Sequence, residues 1–299
     1  MERTLKIDLH IHSNCSDGEF SPKEIIDIAK ANGTSIISIA DHDTTLAYSP
    51  ELIDYAKANN IQLIPAVEIS TKFYGVGIHV LGYNIDLKNQ ELQNCLSMLK
   101  NARINYLMEV TKALNSLGYH LNTNQLKELP TVTKAHIARD VVGNEKNRDL
   151  LLKTFGYIPS MGEFIETIMN EGCPAHVKKF SISSVDASNV IRQAGGKVIL
   201  AHPVAYIHEN NISVEKIQNL IQEMSADGIE SNYIYVDVTN KVFDESKFWN
   251  DFAKVNNLIT TIGSDFHSFD KYRPEIGFSN KEFRLTQSEI EEILKNISK

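Results

Sequence analysis

The chain has 299 residues, a formal net charge of −8 and 42% hydrophobic side chains. That length buries roughly three quarters of the unfolded surface, enough for one large barrel or two smaller domains. The acidic balance excludes broad, sequence-independent binding to a nucleic-acid backbone, which needs lysine and arginine clustered on one face; a small phosphorylated substrate remains open, because bound divalent ions make a pocket locally cationic.

In chain order, the first predicted strand, 5–11, runs into the pair His10 and His12. Ser21-Pro22 then opens a helix over KEIIDIAKAN that stops at Gly33, and strand 35–40 closes on Asp41 and His42. The unit repeats: Ser49-Pro50 opens ELIDYAKANN, strand 62–67 closes on Glu68, and strand 78–84 begins beside His79. Such βα repetition implies parallel strands with crossover helices. From about Leu87 to Gly172 the pattern is helical throughout, and LQNCLSMLKNARINYLMEVTKALNSLG is the longest segment. From Val185 alternation resumes, with strand 197–201 closing on His202, strand 228–231, strand 259–263 leading to Asp265 and His267, and a closing helix QSEIEEILKNI. The expected fold is therefore α/β, a distorted or incomplete seven-stranded (β/α) barrel over 1–86 and 173–299 with an all-helical insertion at 87–172. Active groups of such barrels lie at the C-terminal strand ends.

That is where the histidines and carboxylates fall, and imidazole with carboxylate is a ligand set for zinc, manganese and iron. An HxH pair on a strand puts both rings on one face, since side chains repeat every two residues. The spacing points to a multinuclear metal site. Asp17, in the turn sequence SDG, reads on its own as a residue that bonds its own backbone. Glu230 ends a strand and reads equally as a structural acid, while Tyr233, Tyr235 and Trp249 read as packing groups. Cys15, Cys95 and Cys173 have neither CxxC nor CxxH spacing, so a reducing, cytoplasmic setting without a disulfide framework is expected. No segment approaches about 18 uninterrupted apolar residues, so neither export nor membrane insertion is expected.

HIHSNCSDG, ADHDT, PAVE, HVLGY, LAHP and GSDFH, in this order, resemble the PHP family, named for polymerase and histidinol phosphatase. The resemblance implies two to three divalent ions, with manganese, zinc and iron left open, and hydrolysis of phosphate esters by in-line attack of a metal-bridging hydroxide. Carried across by motif, His10 and His12 hold one metal with Glu68 and Asp265; Glu68 bridges to a second held by His79 and His202; Asp17, His42 and His267 hold a third. Asp41 stands behind the ligands, orienting an imidazole or relaying a proton. HIAR and the stretch after it resemble the branch of nucleoside 3′,5′-bisphosphate phosphatases and RNA 5′-end-trimming enzymes. By that resemblance His136, Arg139, Lys178 or Lys179, and Arg273 face a second phosphate, and a nucleotide or short oligonucleotide is the expected partner. GIESNYIYVDVTN departs from that branch's GIEV pattern, at the wall expected to face the nucleoside. Histidinol-phosphate phosphatase and a non-catalytic metal-binding domain of a polymerase or regulator are the rival expectations.

Overall fold

Ser21 and Ser49 cap the helices Pro22–Ala31 and Pro50–Ala58: each hydroxyl accepts from a backbone amide three residues on, and proline takes the first turn of each. Between these helices run β1 (Ile7–Ile11), β2 (Ile36–Ile39) and β3 (Gln62–Leu63), which form a parallel sheet in the order β1-β2-β3. The computed structural model describes residues 6–237, 239–277 and 285–298; Leu5, the first residue of the predicted first strand, lies outside them. Two compact units emerge, one formed by the described residues up to Leu96 and from Ile182 onward, the other by Ser97–Ser181.

The remaining strands of the first unit are β4 (Ala66–Phe73), β5 (Val76–Tyr83), β6 (Ile182–Ser183), β7 (Lys197–Leu200), β8 (Gly228–Asn232), the hairpin of β9 (Ile234–Val236) and β10 (Val242–Asp244), and β11 (Ile259–Ile262). Six of them form one sheet in the order β11-β8-β7-β5-β4-β6. The predicted strand 62–67 is broken, because Pro65 cannot donate to a ladder: β3 stops at Leu63 and β4 starts at Ala66. β4 then reverses into β5 through Tyr74 and Gly75, both at positive φ (47° and 86°), the geometry of a tight two-residue hairpin turn. As a result β5 runs antiparallel to both β4 and β7. Its beginning therefore lies level with the C-terminal end of β7, where Ala201 N donates to His79 O (3.2 Å). His79 thus lies level with the C-terminal end of β7 although it sits early in an antiparallel strand.

The expected seven-stranded barrel is not closed. Among the described residues the two sheets meet through isolated bridges, Ile11 with Phe266 and His42 with Glu68. The ladder opens where the backbone leaves regular geometry: β1 shifts register between Asp8 and Ile11, and Asp265 takes a left-handed φ of 52°. These are also the places where candidate ligands leave the strands.

Leu9, Ala66, Leu81, Tyr83, Ile199 and Ala201 form one core with Ile290, Ile293 and Ile297 of the helix Gln287–Ile297. A second core joins Ile11, Ile37 and Ile39 to Ile25, Ile26 and Leu52 of the two capped helices. The Ser97–Ser181 unit is built from helices around its own core of Leu107, Val110, Leu114, Ile137, Val141, Leu151 and Phe164. No helix among the described residues is long and apolar enough to cross a membrane.

Tyr48 repairs the break at Pro65. Its buried phenol accepts from Ile39 N (3.0 Å) and Ala66 N (2.9 Å) and lies 2.9 Å from the acceptors Ile39 O and Ile64 O. One hydroxyl thus satisfies backbone groups that a continuous ladder would have paired. Tyr48→Phe leaves buried donors unpaired, and such groups cost about 1–3 kcal/mol. Urea unfolding should show that loss as a lowered midpoint with an unchanged slope; an unchanged midpoint would remove Tyr48 from this role.

Candidate metal centre

Glu68, fully buried at the foot of β4, is the hub of the site. Its Oε1 lies 3.4 Å from His10 Nε2, 3.2 Å from His79 Nδ1 and 3.2 Å from His202 Nε2. Its Oε2 lies 3.3 Å from His12 Nε2 and 2.8 Å from His42 Nδ1. Asp265 Oδ1 is 3.1 Å from His12 Nε2 and 3.6 Å from His10 Nε2. Asp17 approaches His267 Nε2 (3.4 Å) and His42 Nε2 (3.8 Å). All the sequence-predicted ligands thus come together. Three groups have donor atoms close enough, within 4.8 Å of one another, to hold an ion: His12, Asp17, His42 and His267; His10, His12 and Asp265; and His42, Glu68 and His79. His12 and His42 are shared between groups, whereas the motif-based assignment gave each to one.

Local structure explains how these side chains converge. Asp8 and His10 alternate along β1 and His12 follows one residue past its end, so period two sends all three toward one side. Asp8 accepts from Ser264 N (3.0 Å), Ser264 Oγ (2.6 Å) and Gly277 N (2.9 Å), which fixes the loop that presents Asp265 and His267. Asp41 accepts from Ser13 N (2.7 Å), Ser13 Oγ (2.6 Å) and Ser16 Oγ, fixing the loop that presents Asp17; Ser16 Oγ in turn lies 3.4 Å from His12 Nδ1. Glu230 takes His10 Nδ1 (3.0 Å) and the backbone amide of His202 (2.9 Å). The first bond assigns the proton to Nδ1 and leaves the His10 Nε2 lone pair facing the site, the usual carboxylate–histidine–metal relay. His267 Nδ1 does the same with Asp265 O (2.8 Å). His202 and Asp265 sit at positive φ (26° and 52°). Strained backbone of this kind persists where surroundings over-determine it.

The electrostatics require cations. Burial opposes ionisation of Asp17, Glu68 and Asp265, yet the imidazoles around them hold all three carboxyls well below the usual range. Burial likewise opposes charge on His12, but Asp265 and Glu68 outweigh it and push the imidazole up to about 10. His10 is raised in the same way, with Glu230, Glu68 and Asp265 overcoming burial. His42 goes the other way: burial wins over Glu68 and Asp17 and brings it down to about 4. A proton on His12 thus helps to balance the buried carboxylates.

The donor set fits divalent metal. Asp17 Oδ1, His42 Nδ1 and Glu68 Oε2 have no hydrogen-bond partner despite being buried. The 2.8 Å approach of His42 Nδ1 to Glu68 Oε2 lacks hydrogen-bond geometry, as expected of lone pairs aimed at a shared ion. Nitrogen and oxygen donors without thiolate suit zinc, manganese or iron. Cys15 falls in none of the three donor groups; burial, assisted by Asp41, pushes its thiol up.

Of the residues assigned to a second phosphate, Arg273 lies on an exposed stretch of the first unit. Its positive charge is felt by the buried Tyr233 phenol, which burial and Asp265 raise and whose hydroxyl lies 3.3 Å from Asp265 Oδ2. His136, Arg139, Lys178 and Lys179 belong to the second unit. There His136 closes a capping box at the start of the helix Lys134–Gly143, with Thr133 N donating to its Nδ1 (3.2 Å), while Arg139 and Lys178 are exposed and Lys179 half-buried. Sequence reasoning missed Asp8, Ser13, Ser16 and Ser264. Asp8 had a signal in its period-two spacing with the HxH pair; the serines had none.

Known proteins resemble this chain along nearly its whole length. The PHP domain family matches residues 8–298. A 5′-3′ exoribonuclease from Haemophilus influenzae is 32% identical over 269 residues, covering 88% of this chain and 90% of its own. A 3′,5′-nucleoside bisphosphate phosphatase from Chromobacterium violaceum is 26% identical over 266 residues, covering 88% and 87%. Among solved structures, an amidohydrolase from Chromobacterium violaceum with bound sulfate superposes with a TM-score of 0.78 at 23% identity, covering 97% of this chain and 96% of its own, which is a likeness of fold.

Two outcomes follow. His12 is raised and so protonated near neutral pH, and ligation needs it neutral. Manganese binding at pH 7 should therefore release protons and tighten as pH rises from 6 to 8; calorimetric titrations in buffers of different ionisation enthalpy should diverge, and buffer-independent heats would contradict the assigned protonation. Gly263 closes β11 against the site, where an added Cβ would overlap Glu230 Oε1 and His10 Cβ. Gly263→Ala should weaken metal binding by about 10–100-fold, the usual cost of disturbing a ligand's partner, and undiminished affinity would show that the His10–Glu230 pair does not matter.

Proposed function

The chain belongs to the PHP domain family and is a metal-dependent phosphoesterase, and we propose that it breaks the ester bond at the 3′ oxygen of a 5′-phosphorylated nucleoside. Nucleoside 3′,5′-bisphosphates are the small substrates of this reading and short 5′-phosphorylated RNA the long ones. One bond unites them. In the bisphosphate the phosphorus leaves O3′ as inorganic phosphate; in RNA it leaves O3′ as the 5′-phosphate of the shortened chain. The names of the two relatives, an exoribonuclease and a bisphosphate phosphatase, support this common chemistry.

The observation that carries the proposal is Glu68, a buried carboxylate within 3.4 Å of five imidazoles. In this reading it would be shared between ions, and two to three divalent ions would be held by His10, His12, Asp265 and Glu68, by Glu68, His79 and His202, and by Asp17, His42 and His267. Manganese, zinc or iron suits such donors. Bound there, the ions supply charge neutralisation for the phosphoryl oxygens and an activated water. Glu230 and His267's own loop carbonyl hold the imidazole protons away from the site, and Asp41 with Asp8 keeps the ligand loops in place. The strands bridged at His42–Glu68 and Ile11–Phe266 read as a distorted seven-stranded barrel that serves as catalytic domain. The helical unit reads as an insertion; His136, Arg139 and Lys178 or Lys179 in it, and Arg273 in the first unit, are each candidates for the second phosphate, a task that arginine's planar fork suits.

A panel of adenosine 3′,5′-bisphosphate, AMP, a short 5′-phosphorylated RNA and histidinol phosphate, assayed with manganese, tests the reading. The bisphosphate and RNA should be cleaved to 5′-monophosphates in preference to the other two. Preference for histidinol phosphate would keep the metal chemistry and overturn the substrate. Arg139→Ala should raise KM for doubly phosphorylated substrates by about tenfold or more, the scale of a lost charge-assisted hydrogen bond, while metal content stays at the wild-type value; equal loss on every substrate would remove Arg139 from recognition.

A further inference from the structure

The segment that carries the last ligands continues into exposed aromatic and cationic residues that the site chemistry does not use. Phe266 lies between Asp265 and His267 and is buried; Phe269, two residues past His267, is 56% exposed. Phe269 meets Phe266 edge-on at 5.4 Å between ring centroids and Phe20 at 5.3 Å, while Phe20 and Phe266 stack at 5.9 Å. Phe20 comes three residues after Asp17. The cluster therefore joins the two ligand loops on the Asp17–His267 side. Backbone bonds fasten it there: His12 N donates to Phe266 O (2.9 Å), Glu19 N to His267 O (2.7 Å) and Asn14 N to Phe20 O (2.8 Å). Lys271, Tyr272 and Arg273 follow, all exposed. The Asp270 carboxylate, the nearest acid in sequence, accepts from the amides of Tyr272 (2.7 Å) and Arg273 (3.3 Å).

A packing role accounts for Phe266 and Phe20, which are wholly and half buried, but not for Phe269. A phenyl ring left more than half in water gains little from burial, and its two aromatic neighbours back it without covering it. An exposed ring on a surface that also carries cationic residues is how proteins grip unpaired nucleotides, since every base offers a face to stack on.

We infer that Phe269, backed by Phe20 and Phe266 and followed in the chain by Lys271, Tyr272 and Arg273, is a stacking platform for a nucleobase of the substrate, next to the metal centre. The inference rests on the nucleotide reading above and deepens it: the platform makes the enzyme favour phosphate esters that carry a base over those that carry only sugar and phosphate. It is sequence-tolerant, because stacking reads the base's face rather than its edge.

The test compares adenosine 3′,5′-bisphosphate with the abasic 1-deoxyribose 3,5-bisphosphate, which has both phosphates and no base. Wild-type enzyme should favour the base-bearing substrate in kcat/KM. Base stacking is worth about 1–3 kcal/mol, so Phe269→Ala should shrink that preference by about tenfold, through KM, and Phe269→Trp should restore it. An independent readout comes from Phe269→Trp itself, whose indole fluorescence should be quenched by AMP and not by ribose 5-phosphate. If wild-type enzyme prefers the base and Phe269→Ala keeps the preference, the platform is overturned and the nucleotide reading stands. If wild-type enzyme shows no preference for the base, both fall.

Discussion

Everything else in this structure answers to one electrostatic demand, the negative charge of Glu68, Asp17 and Asp265 gathered where water is largely excluded. Isolated buried carboxylates cost far more than a fold can supply, and they persist only when cations and donors surround them. Here the surroundings are imidazoles, drawn from strands and loops distant in sequence: His10 and His12, His42, His79, His202 and His267. The fold can be understood as the means of delivering these rings to one point. A divalent ion meets the same demand with far more charge per volume than a protonated imidazole, which is why the pattern fits metal better than a network of ion pairs.

Delivery to one point coincides here with departures from a regular barrel. The two sheets meet only through the isolated bridges Ile11–Phe266 and His42–Glu68 among the described residues, a register shift bends β1, and His202 and Asp265 take left-handed backbone. Buried acids behind the site absorb the consequences. Asp8 ties down the loop at Ser264, Asp41 the loop at Ser13 and Ser16, and Glu230 binds both a ligand ring and the amide of strained His202. Burial raises Asp8 to about 6 against its hydrogen bonds from Ser264 and Gly277, a sign of how deeply this supporting acid is placed. Away from the site Tyr48 performs the corresponding repair at Pro65 with one hydroxyl.

Much of the candidate site was legible because its ligands sit at strand ends, where period and position both show in the sequence. The capped helices were legible too, since serine–proline pairs act locally. The hairpin of β4 and β5 was not. Its turn uses Tyr74 at positive φ, a residue that rarely signals a turn, and the reversal made β5 antiparallel where βα repetition suggested parallel strands. The supporting residues were hidden for a different reason: Ser13, Ser16 and Ser264 are common loop residues whose importance comes from partners brought near only by folding. Groups of the helical unit, Arg139 among them, gave a motif but no spacing that relates them to the strand ends. The aromatic trio shows the same limit, as Phe20 and Phe269 are separated by nearly the whole chain.

The central claim is that the histidine–carboxylate cluster around Glu68 holds more than one ion at once. Elemental mass spectrometry of the purified protein, loaded with manganese and freed of loose metal, tests it directly when wild type is measured beside Glu68→Gln. The account predicts two or three ions per wild-type chain, with a loss of at least one when the shared carboxylate is neutralised. Sub-stoichiometric metal in the wild type, or the same content in the variant, would contradict it.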